Sequence, residues 1–140
     1  MKNILITGGS GLVGKQLTAL LEQKGYEVAW LSRKPQQRRH FLWDVAHQEI
    51  DTQALEWADA VMHLAGEGVA EKRWTTKRKQ AILRSRTEST ALLHRAIQQA
   101  SHKPSTFISA SAVGYYGFDT GATLIDENGP SGTDFLAEVV

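Results

Sequence analysis

The chain has 140 residues, 41% apolar and 22% charged, with 16 Lys and Arg against 15 Asp and Glu for a net charge of +1. This is the profile of one ordinary globular domain, able to bury roughly 68% of the surface its unfolded chain exposes. Cysteine is absent, which excludes disulfide scaffolds, zinc ribbons, iron–sulfur centres and thiol catalysis.

Only three consecutive aliphatics, Ile4-Leu5-Ile6, follow Met1-Lys2-Asn3. That is too short for a signal-peptide core, and no later stretch approaches the ~20 apolar residues of a membrane span, so a cytoplasmic location with no membrane partner is expected. The first strand is predicted over Asn3 to Thr7, and a helix over Leu12 to Lys24, with Leu17, Leu20 and Leu21 on one face and Gly25 as its C-terminal cap. Between them runs Thr7-Gly8-Gly9-Ser10-Gly11-Leu12-Val13-Gly14, which contains G-x-G-x-x-G at Gly9, Gly11 and Gly14. Glycines there allow a tight turn and close backbone approach to a pyrophosphate, while the helix start offers free N–H groups and its positive dipole end. Gly8, Ser10, Gly11, Leu12, Val13 and Gly14 are therefore the expected pyrophosphate-binding residues. Gly9 to Lys15 also reads as the opening of a nucleotide-triphosphate P-loop, but Gln16 stands where Ser or Thr would hold magnesium.

A second strand is predicted over Tyr26 to Ser32, followed by Arg33-Lys34 where an NAD-binding protein usually places a carboxylate against the ribose 2′-hydroxyl. A guanidinium can clamp a 2′-phosphate that a carboxylate would repel, so the pair favours NADP over NAD; a solvated charged turn is the plainer alternative. Further strands are predicted at His40 to Val45, Ala60 to Ala65 and Thr106 to Ala110, with a long amphipathic helix over Thr75 to Ala100. Strands alternating with helices indicate an α/β doubly wound parallel sheet of Rossmann type, in the order 3-2-1-4-5, with Gly11, Gly66 and Ser111 lining one crevice at its carboxyl end.

Charge is uneven along the chain: residues 71–103 carry nine basic residues against two acidic, a local +7, and residues 104–140 carry five carboxylates and no Lys or Arg, a local −5. A basic face paired with an acidic one is preferred over nucleic-acid contact, for which no motif is present. The five histidines show no metal-ligand spacing, and His63 at a strand end reads as a satisfied structural imidazole. Beyond Tyr116, five glycines and prolines within 16 residues make a loop, and the apolar pattern resumes only at Phe135, just before the chain stops at Val140. The expectation is that residues 1–140 are a dinucleotide-binding domain forming the N-terminal part of a longer protein.

Thr7-Gly8-x-x-Gly11-x-x-Gly14 resembles the glycine motif of extended short-chain dehydrogenase/reductases. More narrowly, His63-Leu64-Ala65-Gly66-Glu67, Arg73-Trp74-Thr75, Ser85-Arg86 and Ser109 to Gly117 resemble its atypical branch of nucleoside-diphosphate-sugar epimerases, over essentially the whole chain. The resemblance implies that Asp44 lies near the adenine, that Ala65 and Gly66 pass beneath the cofactor ribose, and that Ser111 is the serine beside the nicotinamide. It also implies a Tyr-x-x-x-Lys helix roughly 25 residues beyond that serine, where the ammonium lowers the phenol pKa from about 10. This chain instead has Phe135-Leu136-Ala137-Glu138, and Arg86 where the family's helix asparagine is usual. Two functions follow: an oxidoreductase or epimerase acting on a hydroxyl or carbonyl, possible substrates including a sugar nucleotide, with Ser111 and Tyr115 or Tyr116 as its catalytic groups; or a catalytically silent dinucleotide-binding or redox-sensing protein.

Overall fold

The computed structural model describes residues 1–36 and 39–140. The central strand is β1 (Asn3–Thr7), whose alternating side chains divide between two cores. Ile4 and Ile6 join Leu21, Val28 and Ala60 beneath α1 (Leu12–Gln23), while Leu5 joins Ala29, Val61, Leu55, Leu93 and Ala96 on the opposite face. Both faces of the strand are therefore sealed, which is why it reads as an unbroken apolar run. β2 (Glu27–Ser32) and β5 (Ala60–His63) flank β1 in parallel, β3 (His40–Asp44) pairs with β2, and β6 (Thr106–Ser109) pairs with β5.

With β4 (Glu49–Ile50) included, the full order is β4-β3-β2-β1-β5-β6. Its five parallel members stand in the expected 3-2-1-4-5 arrangement, and the addition is β4, a two-residue antiparallel strand hairpinned onto β3. Too short to show alternation, β4 is specified by its turn: Asp44 accepts hydrogen bonds from His47, and Gln48 takes a positive φ of 57°. The short α2 (Gln53–Trp57) was equally invisible as periodicity, yet it buries Ala54 and Leu55 completely under the sheet. α3 (Thr76–Gln99) lies on that same face, its start capped by the Thr75 hydroxyl, which accepts from the Arg78 N–H. The covering of both faces makes this a doubly wound α/β fold with Rossmann connectivity. After β6 come a 3-10 turn (Val113–Tyr116), a loop, and α4 (Phe135–Val139), whose first amides are capped by Asp134. Among the described residues no helix is long and apolar enough to cross a membrane.

Candidate dinucleotide crevice

Parallel strands place all their carboxyl ends on one side, and the connection order reverses between β1 and β5, so the crevice forms where those two strands end. Gly8, first residue past β1, has φ +72°, and a Cβ there would stand 3.0 Å from the Ala65 nitrogen. Its backbone is thus pressed directly against the segment leaving β5. The chain turns through a bond from the Gly11 N–H to the Gly8 carbonyl at 3.0 Å, and α1 begins. Gly14 lets the helix approach the turn, since a Cβ would lie 2.4 Å from the Gly8 oxygen and 2.6 Å from the Gly9 Cα. Gly9 has a different reason: its missing Cβ would fall 2.4 Å from the Trp30 ring. Trp30 is a buttress that sequence reasoning missed. It donates from Nε1 to Thr18 at 2.9 Å, Thr18 donates to the Gly14 carbonyl at 2.8 Å, and the ring stacks on His40 at 5.0 Å.

Gly11 caps α1 with no side chain, and the first turn of the helix carries no acidic residue. The amides of Leu12, Val13 and Gly14 have no intrahelical partner by the geometry of a helix start, and the side chains of Leu12 and Val13 turn outward, 82% and 64% exposed. At Gly11 a Cβ would meet only the Gly8 oxygen, at 3.3 Å. The loop therefore leaves open, on its outer side, a cradle lined by unpaired N–H groups with Ser10 exposed at its rim, which fits a diphosphate.

Beyond β2, Arg33 and Lys34 are exposed, and the Ser32 hydroxyl accepts the Lys34 N–H at 3.2 Å, shaping the turn. Asp44 ends β3 at the same carboxyl edge. Hydrogen bonds from the His47 ring and backbone hold its carboxyl below the usual range, and Asp44 in turn raises the His47 pKa. Ser111 follows β6 and is exposed, two residues past Ser109, the register partner of His63; Ala110 donates to the His63 carbonyl at 3.0 Å. Tyr115 and Tyr116 lie on the 3-10 turn and pack edge to face at 5.2 Å, with Tyr116 against Gly129. Gly8 and Ala65 are thus in direct contact, while Arg33, Lys34, Asp44 and Ser111 share the sheet's carboxyl end.

The β5 end is fixed by a chain of polar groups whose proton positions can be deduced. The Thr7 hydroxyl accepts from the N–H of Leu64 and of Ala65, both at 3.1 Å, so its own hydrogen goes to His63 Nδ1 at 2.7 Å. His63 then carries its proton on Nε2 and donates to Ser89 at 3.1 Å, and Ser89 donates to the Arg86 carbonyl at 3.0 Å. Burial, with the Arg86 charge nearby, pushes the His63 pKa down and keeps it neutral. The next residues are held from α3: Ser85 accepts the Glu67 N–H at 3.0 Å, and Arg78 grips the Glu67 carboxylate at 2.7 Å and the Gly68 carbonyl at 2.6 Å. A buried threonine and serine facing one histidine were the available signal for this network, but they come from three separate elements.

Comparison with known proteins agrees with this geometry. The family model described as the NAD dependent epimerase/dehydratase family matches residues 4–134. An epimerase family protein of Mycobacterium bovis is 39% identical over 137 residues, covering 97% of this chain and 44% of that protein. A Bacillus subtilis epimerase family protein is 37% identical over 139 residues, covering 96% and 46%. The crystal structure of a human epimerase family protein with NADPH has a TM-score of 0.82 at 32% identity, covering 98% of this chain and 45% of that one. The nucleoside-diphosphate sugar epimerase of Corynebacterium glutamicum has a TM-score of 0.84 at 40% identity, covering 99% and 28%. The chain spans less than half the length of these relatives.

Proposed function

The chain belongs to the NAD-dependent epimerase/dehydratase family, and from that premise we propose that it binds NADP(H) in preference to NAD(H) and serves oxidoreductase or epimerase chemistry at a hydroxyl or carbonyl carbon. The observation that carries the reading is the cradle of unpaired α1 amides beside Gly8 and Gly11, open where a Cβ would fill it. The NADPH in the human relative's structure supports the choice of cofactor. Gly8 and the amides from Ser10 to Gly14 would hold the diphosphate, Arg33 and Lys34 the 2′-phosphate, Asp44 the adenine end, and Ala65 and Gly66 the ribose. When bound, the nicotinamide supplies a site that gives or accepts a hydride. Ser111 donates a hydrogen bond to the reacting oxygen, and the phenol of Tyr115 or Tyr116 moves the proton.

A second reading, a binding or redox-sensing module without turnover, is favoured by Phe135-Leu136-Ala137-Glu138 at the start of α4, where the family's tyrosine and lysine are expected. NADPH deuterated at the nicotinamide C4, incubated with the protein and a panel of aldehydes, ketones and keto-sugars, separates the two. Transfer of deuterium to a carbonyl carbon, abolished by Ser111→Ala, is the expected result. NADPH that binds and is recovered with its label intact supports the silent module, and failure to bind any dinucleotide removes both readings.

A further inference from the structure

Residues 66–79 carry five cations, Lys72, Arg73, Lys77, Arg78 and Lys79, against the two carboxylates of Glu67 and Glu71. The first turn of α3 holds three of these cations and no acidic residue, so they stand at the positive end of the helix dipole, where like charge is unfavourable. Among the described residues only Arg78 is neutralised, by Glu67, while Lys79 lies over the rings of Phe135 and Trp74, 4.9 and 5.9 Å from their centroids. Lys72, Arg73 and Lys77 are exposed and enter no ion pair among those residues. The acidic stretch 104–140 does not supply the missing charge, since none of its carboxylates is ion-paired to residues 71–103 among them. The cluster stands beside the crevice for two reasons. The parallel crossover from β5 to β6 starts its helix at the carboxyl edge of the sheet, and Arg78 grips Glu67 and Gly68, the residues that follow Gly66. Ser85, whose hydroxyl accepts the Glu67 N–H, is eight residues beyond Lys77, about 12 Å along the helix axis.

We propose that Lys72, Arg73 and Lys77 form an electrostatic guide that draws a polyanionic dinucleotide to the crevice without touching it once bound. The proposal rests on the dinucleotide reading of the crevice and adds to it how the ligand arrives. A surplus of one sign of charge at the mouth of a cleft raises the local concentration of counter-ions and the rate at which they associate. Salt sets the reach of the guide: the screening length is roughly 20 Å at about 20 mM, more than the distance from Lys77 to Ser85, and roughly 4 Å at about 500 mM, less than it. Charges that act in this way change the association rate and its salt dependence, whereas a charge that grips the bound ligand changes dissociation.

Stopped-flow binding of NADPH at those two salt concentrations tests this, comparing the wild-type chain with the triple variant Lys72→Gln, Arg73→Gln, Lys77→Gln. Glutamine keeps the helix propensity of these exposed positions, so the fold is retained. A double variant, Lys24→Gln with Lys103→Gln, removes exposed charge at the opposite end of the sheet and serves as the control. The triple variant should associate at least about threefold more slowly than the wild type at low salt, with the difference gone at high salt and the dissociation rate unchanged. The control should associate as the wild type does. Equal association rates of wild type and triple variant at low salt overturn the proposal. So does an equal slowing in the control, which would make the effect one of net charge, and so does a loss that appears in dissociation at both salt concentrations, which would make the three residues ligand contacts. If the wild-type chain binds no NADPH, the dinucleotide reading fails. Tripolyphosphate titrated calorimetrically into both proteins at low salt then decides on the cluster: tighter binding to the wild type keeps its role as a guide for polyanions, and equal or absent binding overturns it.

Discussion

At Gly14 a Cβ would collide with backbone on two sides, whereas at Gly11 it would meet one oxygen at 3.3 Å. Gly14→Ala is therefore expected to destabilise the fold by about 1–3 kcal/mol, the usual cost of overpacking, and Gly11→Ala by much less; urea denaturation of the two variants checks the contrast. The motif in the sequence predicts the tight turn between β1 and α1 but does not distinguish these causes, because spacing alone cannot tell a glycine that leaves open space from one that admits Trp30 or a helix. Arg33 is exposed beyond β2 with no carboxylate paired to it among the described residues. Arg33→Ala should weaken NADPH about ten- to a hundredfold and leave NADH nearly unchanged. Equal losses for both in a binding titration would make Arg33 structural.

Between elements, the link that shapes the crevice runs from β1 through β5 to α3. Thr7→Val would remove one hydroxyl and leave the Ala65 amide and His63 Nδ1 without their partner, while the Leu64 amide keeps the Thr7 carbonyl at 3.2 Å, at a cost of about 1–3 kcal/mol; thermal unfolding measures it. The same chain fixes a sign for pH. Because the folded value of His63 is depressed, the unfolded chain takes up its proton first as pH falls below about 6.5. The protein then loses stability from that point down to the folded value, and above pH 6.5 the contribution is fully present. His47, raised by Asp44, works in the opposite direction, its stabilisation complete below 6.5 and lost as pH rises through its folded value. Denaturation of wild type and His63→Gln at pH 5 and 7.5 isolates the first effect: the wild type should lose more stability on acidification than the variant does. The strands and long helices were legible from their periodicity. This link was not, since each of its polar residues looks ordinary within its own segment.

For the whole molecule, the outer edge of β6 has no strand beside it among the described residues, and Phe107 and Ile108 are both exposed. Phe118 and Leu124 in the loop that follows are 91% and 99% exposed. Unpaired apolar edges invite association, so the 140-residue chain should self-associate with concentration in sedimentation velocity, and Ile108→Lys should reduce it. The architecture followed from the alternation of apolar runs and helical patterns, because burial of a parallel sheet on both faces leaves that alternation little freedom. The β3–β4 hairpin and α2 did not follow, being too short to carry a period. The central claim, a dinucleotide held on the amides at the start of α1, is tested most directly by calorimetric titration of NADPH into the wild-type chain and Gly11→Val. We predict that the wild type binds in a one-to-one ratio, while Gly11→Val melts with nearly the same midpoint and shows no binding. Equal NADPH affinity in the two proteins would contradict the account.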